Sequence, residues 1–102
     1  MGFGADLAKV QDGYVRLATL QLLAGAPAYQ ANDAVIAQAL AAMGLACSRD
    51  QLRAHLGWLE EVRLVSLVDL SALKVAELTE RGADVAAGRS FLAGVQRPQP
   101  KG

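Results

Sequence analysis

The sequence predicts a mainly helical single domain with one small β-hairpin, in the order helix, short strand, helix, helix, strand, strand, helix. Three observations predict it. Apolar residues recur at helical spacing in three segments, and glycine follows the first two. The third segment starts at Ser48, whose pairing with Gln51 forms an S-x-x-Q capping signature only a few residues after Gly44. The pattern then becomes β-rich between Leu64 and Leu78 before helical signals resume at Thr79.

The first helix is expected from Asp6, which can cap it, to about Ala24, with Val10, Tyr14, Leu17 and Leu20 giving it apolar faces. Asp12 offers a later cap, because Gly13 weakens the middle of the segment. Gly25 and Pro27 stop the helix, and a brief extended piece follows at Tyr29-Gln30-Ala31. Asn32 caps the second helix, and Asp33 sits where a negative charge favours the first turn. Ile36, Leu40 and Met43 then form one stripe for the core, and Gly44 ends the helix.

Only Leu45, Ala46 and Cys47 separate Gly44 from Ser48, so the second and third helices must share one core as a helix-turn-helix. Leu52, Leu56 and Leu59 line the buried side of the third helix, which is expected to end near Val62-Arg63. Arg49, Arg53, Gly57, Glu60 and Glu61 fall on the far side. Leu64–Leu70 and Leu73–Leu78 read as the two strands of a hairpin broken at Ser71-Ala72. Thr79 caps a last helix from Glu80 to about Ala87, which Gly88 closes. This order is that of a winged helix-turn-helix, assigned to residues 1–88. Residues 89–102, basic and carrying Pro98 and Pro100, read as an extended or mobile tail.

Composition narrows the functional classes. The 102 residues suit one domain with a modest core. Hydrophobic residues make up 53% but aromatics only 5%, so much of the apolar content is alanine, which favours closely approaching helices. Ten basic side chains balance ten acidic ones, so any attraction to a polyanion must come from a local patch. One cysteine forms no internal disulfide, and no apolar run approaches the roughly 18 residues of a membrane span. The first residues lack the basic and apolar regions of a secretory signal, so a cytoplasmic protein is expected. No nucleophile–base spacing, paired catalytic carboxylates, phosphate-cradling glycine loop or metal constellation appears, and the chain is expected not to be an enzyme and to need no cofactor.

Two segments carry a resemblance. Leu52-Arg53-Ala54-His55-Leu56-Gly57-Trp58-Leu59-Glu60-Glu61-Val62-Arg63-Leu64-Val65 resembles the recognition helix and first wing strand of bacterial winged-helix regulators. Leu78-Thr79-Glu80-Arg81-Gly82 resembles the "LTERG" with which many such domains leave the second wing strand. More narrowly, Ser48–Arg53, Trp58–Glu61, Thr79–Gly82 and Gly94-Val95-Gln96-Arg97-Pro98 are similar to a family of small Mu-like prophage proteins labelled ArsR-like or winged-helix. That resemblance implies DNA binding by analogy of fold and identifies no operator or effector. ArsR-like metal sensing does not carry over, since Cys47 and His55 are the only cysteine and histidine.

The candidate DNA-binding residues follow from this reading. Ser48, Arg49, Gln51 and Arg53 lie in the first turns of the third helix, where such helices reach base edges, and the arginine fork suits guanine or phosphate. Lys74 is the one cation of the hairpin, against Asp69 and Glu77. Arg89, Arg97 and Lys101 make the tail basic, with no acid beyond Arg89. Set against these readings, the arginines could pair locally with Asp50 or Glu60, and the tail charges could serve solubility alone. Trp58 is expected to anchor the core against the wing or first helix. The expected partner is double-stranded DNA, bound through the third helix by a homodimer whose two copies meet at the first helix and the last helix with its tail. The alternative is a protein-interaction module in phage morphogenesis or packaging.

Overall fold

The computed structural model describes residues 3–99 and shows four helices and a three-stranded antiparallel sheet around one core. α1 spans Phe3–Ala24, α2 Asp33–Ala42, α3 Arg49–Glu61 and α4 Glu80–Ala87. The strands are β1 (Gln30–Asn32), β2 (Val65–Leu70) and β3 (Leu73–Leu78). The sheet order is β1-β3-β2, so the extended piece after α1 joins the hairpin as a third strand. Lys101, one of the expected DNA-binding residues, lies outside the described residues.

Local chemistry accounts for the element ends. Asn32 Oδ1 accepts from Val35 N at 2.9 Å, and Ser48 and Gln51 form both halves of the capping box. Thr79 does two jobs. Its hydroxyl accepts from Gly82 N at 3.0 Å, capping α4, and donates to the Arg63 carbonyl at 2.8 Å. The turn that ends α3 is thereby fastened to the turn that starts α4. Gly82 completes the joint, because a methyl group at its Cα would overlap the Leu64 carbonyl oxygen. The Thr79–Gly82 motif therefore encodes a close approach of two backbones.

Several expectations shift. α1 begins before Asp6, which lies in its first turn instead of capping it. Tyr29 belongs to a short 3-10 turn, Pro27–Tyr29, in which Ala28 and Tyr29 take left-handed backbone (φ 55° and 57°). Such angles cost roughly 1 kcal/mol per non-glycine residue and swing the chain from α1 into β1. Met43 is half-exposed and does not extend the α2 stripe, because α2 ends at Ala42 and Met43 is its C-cap.

The core is aliphatic. Leu20, Leu23, Ile36, Leu40, Leu52, Leu56, Leu59 and Leu64 are each at most 1% exposed, and Val65, Ala76 and Val85 join them from the sheet and α4. The expected leucine side of α3 faces this core. α1 is enclosed from Gly13 onward, and the turns before it are exposed, including Leu7 and Val10. On the hairpin, Val65, Leu67, Ala76 and Leu78 turn inward. Val68 and Leu70 alternate to the outer face, opposite Val75 and Leu73.

Residues 89–99 carry neither helix nor strand, yet they are not detached. Leu92 and Val95 pack against the core, and Gln96 N donates to the Gly13 carbonyl of α1 at 3.2 Å. Trp58, expected against the wing or the first helix, meets Arg16 of α1 and also this segment, with Gly94 close to its ring. Among the described residues, no helix is long and apolar enough to cross a membrane.

Candidate functional site

The α3 side chains nearest its N-terminus define the candidate site. Ser48 and Gln51 are exposed, and their mutual bonds, at 2.9 and 3.1 Å, consume the hydroxyl lone pair and the amide oxygen that face the backbone. Arg49 and Arg53, one turn apart, point along the same side. Neither pairs with Asp50 or Glu60.

Both arginines converge on Asp33, a residue that sequence reasoning treated only as a favourable charge in the first turn of α2. Arg49 Nη2 donates to Asp33 Oδ2 at 3.1 Å and Arg53 Nε donates to the same oxygen at 2.8 Å. The other carboxylate oxygen accepts from Lys74 N at 3.3 Å. Arg53 Nη2 also donates to the Ala72 carbonyl at the hairpin tip. One carboxylate thus ties α2, α3 and the hairpin together.

Asp33 is wholly enclosed, with 0% side-chain exposure, while the arginines keep 46% (Arg49) and 34% (Arg53). Burial opposes its ionisation, but the bonds from Arg53, the Lys74 backbone and Arg49, with the Arg49 charge, outweigh it. The Asp33 pKa is held below the usual aspartate range. The three charges leave one net positive charge at the surface. A guanidinium carries five N–H donors. Arg49 uses one of them and Arg53 two, so most of their donors still face outward.

The remaining predicted cations are engaged with other partners. Lys74 Nζ lies 2.9 Å from Asp69 Oδ1, an exposed pair contributing roughly 0.2–1 kcal/mol. Arg89, for which no acidic competitor was expected, pairs with Asp84 of α4 at 2.9 Å. Arg97 lies over the Phe91 ring, 4.3 Å from its centroid. Of the expected site residues, the structure therefore gathers Arg49, Arg53 and the Lys74 backbone at Asp33, while Ser48 and Gln51 bond to each other at the start of α3. Arg89 and Arg97 sit apart, on the C-terminal segment.

Glu60 does not crowd the arginines. Its carboxylate accepts from Leu67 N at 3.0 Å, occupying an outward-facing donor of edge strand β2. Two signals for the Asp33 cluster were present in the sequence: an acid beside a cap already supplied by Asn32, and two arginines one turn apart on α3. Neither says that the two meet. Among the described residues, no three His, Cys, Asp or Glu side chains are grouped to hold a metal ion.

Fold and site together define a class: a small α-rich domain with a three-stranded antiparallel sheet, presenting from one helix two arginines held by a buried carboxylate. The sequence is 43% identical over 72 residues to the protein described as "Uncharacterized protein gp26" of Escherichia phage Mu, an alignment covering 71% of this chain and 75% of that protein. An uncharacterized protein of Haemophilus influenzae is 40% identical over 67 residues, 65% of each chain. The chain belongs to the family of phage Mu gp26. No family model and no solved structure matches it.

Proposed function

We propose that this chain is a winged-helix DNA-binding protein of a Mu-like prophage, acting in transcription control or as a DNA-handling accessory, with α3 as the element that enters the major groove. Element order and sheet order support the architecture: β2 and β3 make the wing and β1 extends it. The observation that carries the reading is the Asp33 cluster. Arginines on a flexible surface must be ordered on binding, whereas these two are already aimed, with spare donors directed to solvent. Two copies would set two α3 helices in successive grooves, roughly 34 Å apart.

Equilibrium binding to phage DNA over a salt series tests this. Around four to six phosphate contacts per dimer give a slope of about −4 to −5 in log K against log salt. Arg49→Ala should weaken binding while leaving the fold intact, since Arg53 alone still satisfies Asp33. A flat salt response, or undiminished binding by Arg49→Ala, refutes the reading.

A specific observation favours a second reading, a protein-interaction module in phage morphogenesis or packaging. The outer face of the hairpin is apolar toward its tip, beyond Ser66 and Glu77, with Val68 and Leu70 more than half exposed, and its lysine is already paired with Asp69. A basic wing would follow the DNA backbone, whereas an apolar one suits a protein surface. Loss of a phage protein partner on Val68→Ser with Leu70→Ser, in a chain that ignores DNA, would select this alternative.

A further inference from the structure

The C-terminal segment is held against α1 and α3 by a small set of contacts that share one side chain, Arg16. Its Nη1 donates to the Gly94 carbonyl at 3.1 Å, its Nε donates to His55 Nδ1 at 3.2 Å, and its guanidinium lies 4.1 Å from the centroid of the Trp58 ring. The segment lies close enough that glycine is required on both sides. A Cβ on Gly94 (φ 97°) would come within 2.9 Å of the Trp58 ring, and one on Gly13 within 2.9 Å of Gln96 Cγ. Beyond Arg16, the Gln96-to-Gly13 hydrogen bond and the partly buried Leu92 and Val95 complete the attachment. Few bonds hold the segment, so the loss of one acts on all of it.

His55 is placed to remove that bond. Its side chain is only 11% exposed, and because Nδ1 accepts from Arg16, the ring proton must reside on Nε2, which faces Asp12 Oδ1 at 3.5 Å. α1 presents Arg16 and Asp12 to the ring, and the α2–α3 connection presents Cys47 across a cavity of about 330 Å³ that Gln51 also lines. The C-terminal segment contributes only the Gly94 carbonyl, to Arg16. Asp12 is half-exposed, so water screens its attraction for an imidazolium.

We propose that residues 91–97 form a latch that His55 releases on protonation. A proton on Nδ1 abolishes the acceptor for Arg16 Nε and sets two cations in contact. Arg16 then withdraws, letting go of Gly94 and Trp58 together. Burial first, and Arg16 second, lower the His55 pKa against the pull of Asp12, so the closed state favours the neutral ring. The sign follows: closure is fully supported above the ordinary histidine value of about 6.5 and is lost as pH falls through the lower value of the closed state. Between the two values, each pH unit opens the latch about tenfold. Opening uncovers the Trp58 face and the seats of Leu92 and Val95, converting a covered strip between α1 and α3 into an apolar one.

Trp58, the one tryptophan of the chain, reports the event directly. Its emission and the amide exchange of Val95 and Gln96 are followed from pH 8 to pH 4 in the full chain, with far-UV dichroism monitoring the helices. A red shift of Trp58 and faster exchange, at unchanged helicity and with a midpoint below 6.5, are expected. His55→Gln, whose amide oxygen can accept from Arg16, should stay closed throughout. Gly94→Ala, which alters no titratable group, should show the open signature already at pH 7. A pH-independent Trp58 signal, a transition that persists in His55→Gln, or one that coincides with loss of helicity overturns the proposal.

Discussion

Replacing Asp33 by asparagine tests the idea that one buried carboxylate organises the candidate site. The substitution keeps the shape and leaves an oxygen for Lys74 N, but it removes the charge shared by Arg49 and Arg53. A hydrogen bond to a charged group contributes roughly 1.5–3 kcal/mol, so the two arginine bonds amount to about 3–6 kcal/mol before solvent is considered. Both guanidinium groups keep a third to a half of their surface in water and are re-hydrated once released, which about halves the loss. The expected destabilisation is about 2–3 kcal/mol, or roughly 10–20 °C in Tm for a domain of this size. Urea unfolding at pH 7 measures it, with Asp69→Asn as the exposed control, for which the change stays within about 0.5 kcal/mol. The pH dependence adds a second check. Because the Asp33 pKa is depressed in the folded state, its contribution is present above the usual aspartate value and fades as pH falls through the depressed one. The two proteins should therefore converge in acid. An Asp33→Asn variant no less stable than the Asp69→Asn control, or a difference that persists in acid, would refute the reasoning.

Two further substitutions probe the joints. Gly82→Ala forces a methyl group into the Leu64 carbonyl, so α4 must move away from the end of α3; calorimetry should record a loss of about 3 kcal/mol or a failure to fold, and a neutral result would mean the two turns are not in contact. Ser48→Ala removes half of the α3 capping box and should cost about 1 kcal/mol in the same assay, with DNA affinity falling no more than the stability change explains if the serine serves the helix alone.

How far the site was legible depended on the range of the interactions. The caps at Asn32, Ser48 and Thr79 were readable because a cap and the backbone N–H that donates to it lie within three residues, and the leucine face of α3 because helical periodicity is a local property. Asp33 was misjudged because its partners are contributed by α3 and the hairpin, and no residue near it announces them. The same holds for Arg16, whose three contacts are spread over α3 and the C-terminal segment, whereas Arg89 was misjudged although Asp84 is near in sequence, because the tail was read apart from the helix before it. Met43 shows the converse error, in which periodicity was extended one residue past the point where the helix stopped.

The amino-acid order alone determined that four segments are α-helical, where α2, α3 and α4 begin, and which side of α3 seeks the core, because those outcomes rest on neighbours within a turn or two of chain. The tertiary structure decided which charges meet: two arginines on a buried aspartate, a lysine on Asp69, an arginine on a histidine and a tryptophan. A charged side chain on a helix has many possible partners, and only the packing of α2, α3, the hairpin and the C-terminal segment around one core selects among them.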